Sequence, residues 1–264
     1  MSKDNFGDRM KDYENRFCRY LVRRVPVIIR LDGRSFHQWT KGLERPYDAD
    51  LRTAMEYTAA AVCDEICGAR FAYVQSDEIS ILVVDYQNEK SESWFEYRAG
   101  KIESVSASIC TAAFNDVVRS WDHYKKKGWA TFDSRAYNLP AEEVSNYILW
   151  RQRDAERNSI SMLAQAHFSH KQLLKKSGAD KQDMLMLEKG VNWNDVPTRF
   201  KRGSSIYKIK KTIKTDKGSS VRSKWIVDHD MPIVSKNRKH VERWLDADPT
   251  YPRYKKKTMV TMNI

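Results

Sequence analysis

Short apolar runs alternate with longer amphipathic stretches along the first half of the chain. The short runs are rich in β-branched and aromatic side chains and are bounded by turn residues, which is typical of buried strands. They predict strands at residues 25–31, 71–74, 79–84 and 130–137. Two longer stretches, residues 48–66 and 95–121, have apolar side chains at helical spacing and predict helices, the first capped by Asp48. A further amphipathic stretch at residues 7–24 predicts a helix packed on the first strand.

The resulting order, strand–helix–strand–strand–helix–strand, determines the predicted fold class. It predicts an α+β fold in which a split βαβ arrangement (βαββαβ) forms an antiparallel sheet with helices on one face. Polymerase palms and nucleotide cyclases share this layout. In it the first strand lies beside the third, so polar residues at the strand ends can meet at one edge of the sheet.

The second half of the chain has a different pattern. Pro140 opens a stretch with helical periodicity, and residues 199–224 contain ten Lys and Arg with only Asp216 as an acid. Alternating apolar and polar positions within that basic segment predict a hairpin, with its turn at residues 216–218. We therefore divide the chain into a palm-like catalytic domain, residues 1–140, and a helical and basic C-terminal region, residues 141–264, packed on the palm.

Charge and composition narrow the class of partner. The net charge is +12, which favours a polyanionic partner, with RNA or DNA as the default candidate. No apolar run approaches the ~18 residues of a membrane span, and residues 1–6 lack the apolar segment of a signal peptide. The four cysteines form no CxxC pair, which indicates free thiols in a reducing compartment. We expect a cytoplasmic protein without a membrane partner.

Three carboxylates stand where predicted strands end or begin. Asp32 ends the first strand, and Asp77 and Glu78 lie between the second and third. Buried carboxylates are costly unless a cation neutralises them, and Mg²⁺ is commonly held by one or two carboxylates together with substrate phosphates. Three converging acids therefore predict metal-dependent phosphoryl or nucleotidyl transfer. The alternative stays open: Asp32-Gly33 is also a common tight turn, residues 76–78 suit a polar hairpin loop, and Asp48 could simply cap a helix.

Four motifs together resemble one known family. Residues 30–37 read Arg-Leu-Asp-Gly-Arg-Ser-Phe-His, residues 45–48 Arg-Pro-Tyr-Asp, residues 75–78 Gln-Ser-Asp-Glu, and residues 150–152 Trp-Arg-Gln. In order and spacing they resemble the tRNA(His) guanylyltransferase family over about residues 7–205. Details at residues 132–135 and 157–159 are similar to its bacterial-type, guanylyltransferase-like branch.

This resemblance implies nucleotide addition at the 5′ end of tRNA, in the 3′-to-5′ direction, after activation by a nucleoside triphosphate. It implies two Mg²⁺ ions held by Asp32, Asp77 and the Gly33 carbonyl, with Glu78 as a supporting catalytic acid, and ATP and GTP or another nucleoside triphosphate as substrates. It also implies a homotetramer. The residues expected to bind nucleotide are Gly33, Arg34, Ser35, Phe36, His37, Arg45, Asp48 and Ser76. Those expected to contact RNA are Arg30, Arg151, Asn158, Lys201 and Arg202, although a solvated charged face is the alternative for the last two.

One departure from the family bears on the substrate. Eukaryotic members carry His-Ile-Asn-Asn-Leu-Tyr-Asn where residues 156–162 read Glu-Arg-Asn-Ser-Ile-Ser-Met, and only Asn158 is kept. The departure favours template-dependent repair of 5′-truncated tRNA over addition of the extra G to tRNA(His). More remote alternatives are a non-catalytic RNA-binding protein and a nucleotide cyclase on a similar palm.

Overall fold

The fold is built on one antiparallel sheet flanked by helices. The structure, a computed structural model, describes residues 5–215, 218–249, 255 and 257–262. The strands are β1 Val27–Gly33, β2 Ala69–Gln75, β3 Glu78–Val83, β4 Phe132–Asn138, β5 Ser204–Thr215, β6 Gly218–Asp228 and β7 Met259–Thr261. The α-helices are α1 Asn5–Asn15, α2 Phe36–Trp39, α3 Ala49–Glu65, α4 Ala99–Arg119, α5 Ala141–His167, α6 His170–Leu173, α7 Gly178–Lys189, α8 Thr198–Lys201 and α9 Lys239–Glu242. Short 3₁₀ turns occupy Trp94–Tyr97, Asp122–Tyr124, Trp193–Asp195 and Arg243–Leu245.

The strand order across the sheet is β4-β1-β3-β2-β5-β6-β7. All pairs are antiparallel, and β1 lies beside β3 as the sequence predicts. In this register Asp32 is opposite Glu78 on β3 and Asp133 on β4. The mixed helix and antiparallel-sheet class is therefore the predicted one, and acidic residues do meet at one end of the central strands.

Successive side chains of β1 point to opposite faces of the sheet, and the core has one layer on each face. Val27, Ile29 and Leu31 face a cluster that includes side chains of α3 and α4, whereas Ile28 faces a cluster that includes α5. Helices thus cover both faces of the sheet. The prediction of helices on one face describes α3 and α4. The helical stretch predicted after Pro140 forms α5, which packs on the opposite face because Val144, Tyr147 and Ile148 are buried there.

The sheet continues into the C-terminal half because β5 pairs with β2, with Phe71 opposite Tyr207. β5 and β6 pair along their whole length, down to Thr215 opposite Gly218. The predicted basic hairpin is therefore confirmed. Residues 216 and 217 of its predicted turn lie outside the described residues.

The N-terminal segment differs from its prediction. The helix expected over residues 7–24 ends at Asn15, and Phe17, expected on its apolar face, is 94% exposed. The chain beyond it is held by long-range backbone contacts instead: the Leu21 amide donates to the Tyr97 carbonyl (2.9 Å) and the Val22 amide to Asn138 Oδ1 (2.8 Å). Within the described ranges, no helix combines the length and apolar character that crossing a membrane requires. The homotetramer and the cytoplasmic location stay predictions.

Candidate functional site

The candidate site lies where β1 ends and β2 turns into β3. Asp32 and Gly33 close β1, and Ser76 and Asp77 form the turn, in which Ser76 adopts a left-handed backbone (φ 49°). The Gly33 amide donates to the Asp77 carbonyl over 3.1 Å. This hydrogen bond and the pairing of Asp32 with Glu78 fix the two acidic segments beside each other.

The surroundings of Asp77 disfavour the charged form of its carboxyl. Burial raises the pKa of its carboxyl, the neighbouring carboxylates of Asp32 and Glu78 raise it further, and a hydrogen bond from Ser76 acts the other way. A cation between Asp32 and Asp77 would relieve this repulsion. Two carboxylates and the Gly33 carbonyl are hard oxygen donors of the kind that Mg²⁺ binds, with its remaining positions filled by water or phosphate.

Glu78 lies beside these two acids, but its carboxylate is paired with two arginines. Its side chain is 2% exposed, and its two oxygens accept from Arg151 Nε and Nη2, each at 2.7 Å. Arg30 Nη2 lies 2.8 Å from Glu78 Oε2. No group of three His, Cys, Asp or Glu side chains in the described part of the chain could hold a metal ion. Two arginines therefore neutralise the Glu78 carboxylate. The metal ligands predicted from the sequence, Asp32, Gly33 and Asp77 with Glu78 in support, stay a prediction.

Arg30 and Arg151, the two arginines around Glu78, are residues that the sequence predicts to contact RNA. The side chains of Arg30 and Arg151 are 17% and 6% exposed, and Arg151 also pairs with Asp154 at 3.0 Å. Both guanidinium groups pair with Glu78, so that Arg151 joins α5, and Arg30 joins β1, to the start of β3. Their contact with RNA stays a prediction.

The loop after Gly33 offers a few free backbone donors. The amides of Gly33 and Arg34 donate to Asp77 and Thr131, so they are not available to a phosphate. Among the described residues, no protein group accepts from the amides of Ser35, Phe36 and His37. Ser35 has a left-handed backbone (φ 53°), and successive amides in such a turn can point at an anion. The predicted amide cradle for a triphosphate is thus reduced to these three groups.

Gly33 is required by close packing. A Cβ placed on it would lie 2.2 Å from Phe36 Cδ2, and the Phe36 ring is fixed against Phe114 and Phe132. We expect Gly33→Ala to displace Phe36, lower the unfolding free energy by about 1–3 kcal/mol and weaken nucleotide binding. Chemical denaturation and titration with a fluorescent GTP analogue check this. Gly100→Ala is the control, because a Cβ there meets nothing within 4 Å. Wild-type binding by Gly33→Ala would show that the loop does not depend on this packing.

A cavity of about 520 Å³ opens beside Asp77, and we call it the loop cavity. This volume lies in the usual range for small-ligand sites. Its lining includes most of the residues predicted to bind nucleotide: Gly33, Ser35, Phe36, His37, Arg45, Asp48 and Ser76. Arg34 does not line it.

Asp48 has a structural role at the edge of the loop cavity. Its Oδ1 accepts from the Leu51 amide (2.8 Å) and from the Tyr124 hydroxyl, and its Oδ2 accepts from the Glu44 amide (3.2 Å). The helix-cap alternative is therefore confirmed. Its carboxylate fixes the loop to α3, and its contact with nucleotide stays a prediction.

The remaining predicted RNA contacts are Asn158, Lys201 and Arg202. Asn158 is exposed and lines a small cavity of about 70 Å³ next to Ser76. Lys201 is only 6% exposed, its ammonium donates to the Asn194 carbonyl, and burial lowers its pKa. Arg202 is half-buried. The structure therefore does not present Lys201 at a surface, either to RNA or to solvent.

Sequence reasoning missed the part of α5 that faces the loop cavity. Met162 and Gln165 line it, and Asn158 lies one turn before Met162. The three positions are spaced i, i+4 and i+7, which places them on one face of a helix. This spacing from Asn158 was the available signal. Arg52, on α3, also lines the small cavity, and the sequence gave no signal for it.

Known proteins of similar sequence belong to the family that the sequence motifs resemble. The sequence model of a family described as Thg1: tRNAHis guanylyltransferase matches residues 7–140. A tRNA(His) guanylyltransferase of Schizosaccharomyces pombe is 30% identical over 223 residues, which cover 77% of this chain and 80% of the relative. A probable tRNA(His) guanylyltransferase of Dictyostelium discoideum is 29% identical over 234 residues, or 81% of this chain and 88% of the relative.

Solved structures extend the similarity to nearly the whole chain. A bacterial tRNA(His) guanylyltransferase-like protein in complex with ATP is 50% identical, with a TM-score of 0.83 over 92% of this chain and 99% of that one. A bacterial protein of the same description in complex with GTP is 45% identical, with a TM-score of 0.75 over 90% and 98%. The Saccharomyces cerevisiae tRNA(His) guanylyltransferase, at 22% identity and a TM-score of 0.64 over 80% and 94%, shares the fold.

Proposed function

The chain belongs to the tRNA(His) guanylyltransferase family, whose members are nucleotidyltransferases, and we propose that it adds a guanylyl residue to the 5′ end of tRNA(His). The observation that carries the proposal is that Asp77, with Asp32 close to it, lines the loop cavity together with Ser35, Phe36 and His37. The departure at residues 156–162 favours templated repair of truncated tRNA, but the names of the relatives support guanylyl addition better. The bacterial complexes with ATP and GTP support nucleoside triphosphates as substrates.

The chain's own residues suit a two-step transfer. In the first step a 5′-phosphate oxygen of tRNA attacks the α-phosphorus of ATP and pyrophosphate leaves. In the second, the 3′-hydroxyl of GTP attacks the 5′-phosphorus of the activated tRNA and AMP leaves. The amides of Ser35, Phe36 and His37 would bind phosphate oxygens, and Arg45 would neutralise charge at the cavity edge.

Asp32, Asp77 and the Gly33 carbonyl would hold Mg²⁺, which when bound neutralises phosphate charge and increases the nucleophilicity of an attacking oxygen. The paired carboxylates fit this ion because the Asp32 carboxylate raises the pKa of the Asp77 carboxyl, and a cation between them would oppose that repulsion. Glu78 would support the site without binding the metal, because its hydrogen bonds with Arg151 fix the start of β3 next to Asp77.

Templated addition is the second candidate, and Glu156 favours it. Burial raises the pKa of this carboxyl, and the nearby Arg202, Arg153 and Lys201 oppose the shift. Eukaryotic relatives place a histidine at this position, which could donate to a phosphate, whereas a carboxylate only accepts. Loss of that donor favours a nucleotide choice made by the base opposite in the acceptor stem.

A panel of 5′-monophosphorylated tRNAs that lack the nucleotide to be added separates the two candidates. We expect G to be added to tRNA(His) in preference to other tRNAs. If the added nucleotide instead follows the opposing base across tRNA species, templated addition replaces the leading proposal. No addition to any tRNA would contradict both. The same tRNAs with a 5′-hydroxyl are the control, because they cannot be activated.

A further inference from the structure

A second cavity of about 620 Å³ adjoins the loop cavity, and we call it the lysine cavity. It shares Arg45 and Gln165 with the loop cavity and is bounded by the end of α5, by α6 and by the start of α7. Its titratable lining side chains are Arg45, His170, Lys175, Lys176 and Lys181, and none of its lining residues is acidic. A path of positive charge therefore leads away from the candidate site.

Most of this charge is uncompensated. No acidic side chain among the described residues lies within ion-pair distance of Arg45, Lys175 or Lys176. Asp180, in the cap of α7, accepts from the Ser177 amide (2.8 Å); this hydrogen bond lowers the pKa of its carboxyl, and Lys176 lowers it further. Lys181 donates to a neutral partner, Ser161 Oγ, at 3.1 Å.

The local backbone and the apolar lining also suit a ligand. Lys175 has a left-handed backbone (φ 59°), which is costly for a lysine and is found more often at ligand-binding segments than elsewhere. Leu174 next to it is 58% exposed, and Phe168 forms part of the lining. Lysines with apolar side chains between them form the kind of groove that follows a nucleic-acid strand, with the charges at phosphates and the apolar groups under ribose or base.

We propose that the lysine cavity binds backbone phosphates of the tRNA strand that enters the active site. This inference rests on the proposed function and names the part of the surface that the RNA occupies. RNA fits better than a second nucleoside triphosphate, because Lys175 and Lys176 are exposed on the segment between α6 and α7, Lys181 lies on α7, and the three lysines are spread over a cavity of about 620 Å³.

The test compares Lys175→Ala/Lys176→Ala with a matched control, Lys90→Ala/Lys126→Ala. The control removes the same charge from exposed lysines that line neither cavity. Binding of a 5′-phosphorylated tRNA transcript and of a fluorescent GTP analogue is measured at salt concentrations from about 50 to 200 mM, without turnover. We expect the first variant to bind tRNA about tenfold more weakly, with a salt slope smaller by about 1.5, since each lost phosphate contact reduces the slope.

Binding of the GTP analogue should stay unchanged in both variants, and the control should keep the wild-type salt slope. An unchanged tRNA slope in Lys175→Ala/Lys176→Ala would overturn the inference. Loss of GTP-analogue binding with an unchanged tRNA slope would also overturn it and assign the cavity to a nucleotide. Because no catalysis is measured, failure of nucleotide transfer would count against the proposed function and leave this test intact.

Discussion

Asp77→Asn and Asp32→Asn are each expected to reduce nucleotide transfer to tRNA by about 10³-fold or more while the protein stays folded. Each change removes a charged ligand that the proposed Mg²⁺ site requires. The fold should tolerate the Asp77 change, because burial and the neighbouring carboxylates already disfavour the charged form of this residue. Without metal, Asp77→Asn should therefore be at least as stable as the wild type.

The control for this pair is Asp133→Asn. Asp133 lies opposite Asp32 on β4, and its side chain is 53% exposed, so the same substitution is made at the same level of the sheet. Single-turnover extension of labelled tRNA and thermal unfolding are measured for all three variants. Extension by Asp32→Asn or Asp77→Asn at a rate close to that of Asp133→Asn would reject the assignment of the two acids.

Arg151→Ala is expected to lower the unfolding free energy by about 3–5 kcal/mol. The side chain is buried and donates two hydrogen bonds to Glu78, so its removal leaves that carboxylate with Arg30 as its one ion-pair partner among the described residues. Breaking one side of a buried ion pair costs more than removing both sides. Glu78→Gln/Arg151→Met should therefore recover part of the loss.

Urea denaturation measures these differences, and Arg153→Ala is the control. Arg153 is exposed on the same helix, so its loss should change the unfolding free energy by no more than about 0.5 kcal/mol. An effect of Arg151→Ala as small as that of Arg153→Ala would show that the cluster around Glu78 does not stabilise the junction between α5 and the hairpin.

The elements of the fold that depend on local sequence were predictable. β1, β2 and β3 follow β-branched runs between turn residues, and Asp48 caps α3 as its position before an apolar periodic stretch indicates. The antiparallel pairing of β1 with β3 followed from the order of strands and helices. These features need only contacts between neighbours in sequence and the rules of chain connection.

The features that the sequence did not predict depend on contacts between residues far apart in the chain. The partner of Glu78 is 73 residues away on α5, and no periodic pattern links a hairpin acid to a particular arginine. Lys201 lies in a run of cations that indicates a surface, yet Asn194 and the Trp193 ring enclose its ammonium. The apolar side chains near the N-terminus predicted a packed helix, whereas contacts to Tyr97 and Asn138 hold residues 21 and 22 in another conformation.

The most direct test of the catalytic assignment is extension of 5′-monophosphorylated, 3′-labelled tRNA(His) lacking its extra G, in the presence of ATP, GTP and Mg²⁺. The product is resolved by length and sequenced at both ends. The proposed function predicts a product one nucleotide longer at its 5′ end with the wild type, and no such product with Asp77→Asn. Unchanged tRNA with the wild type, growth at the 3′ end, or equal extension by Asp77→Asn would contradict it.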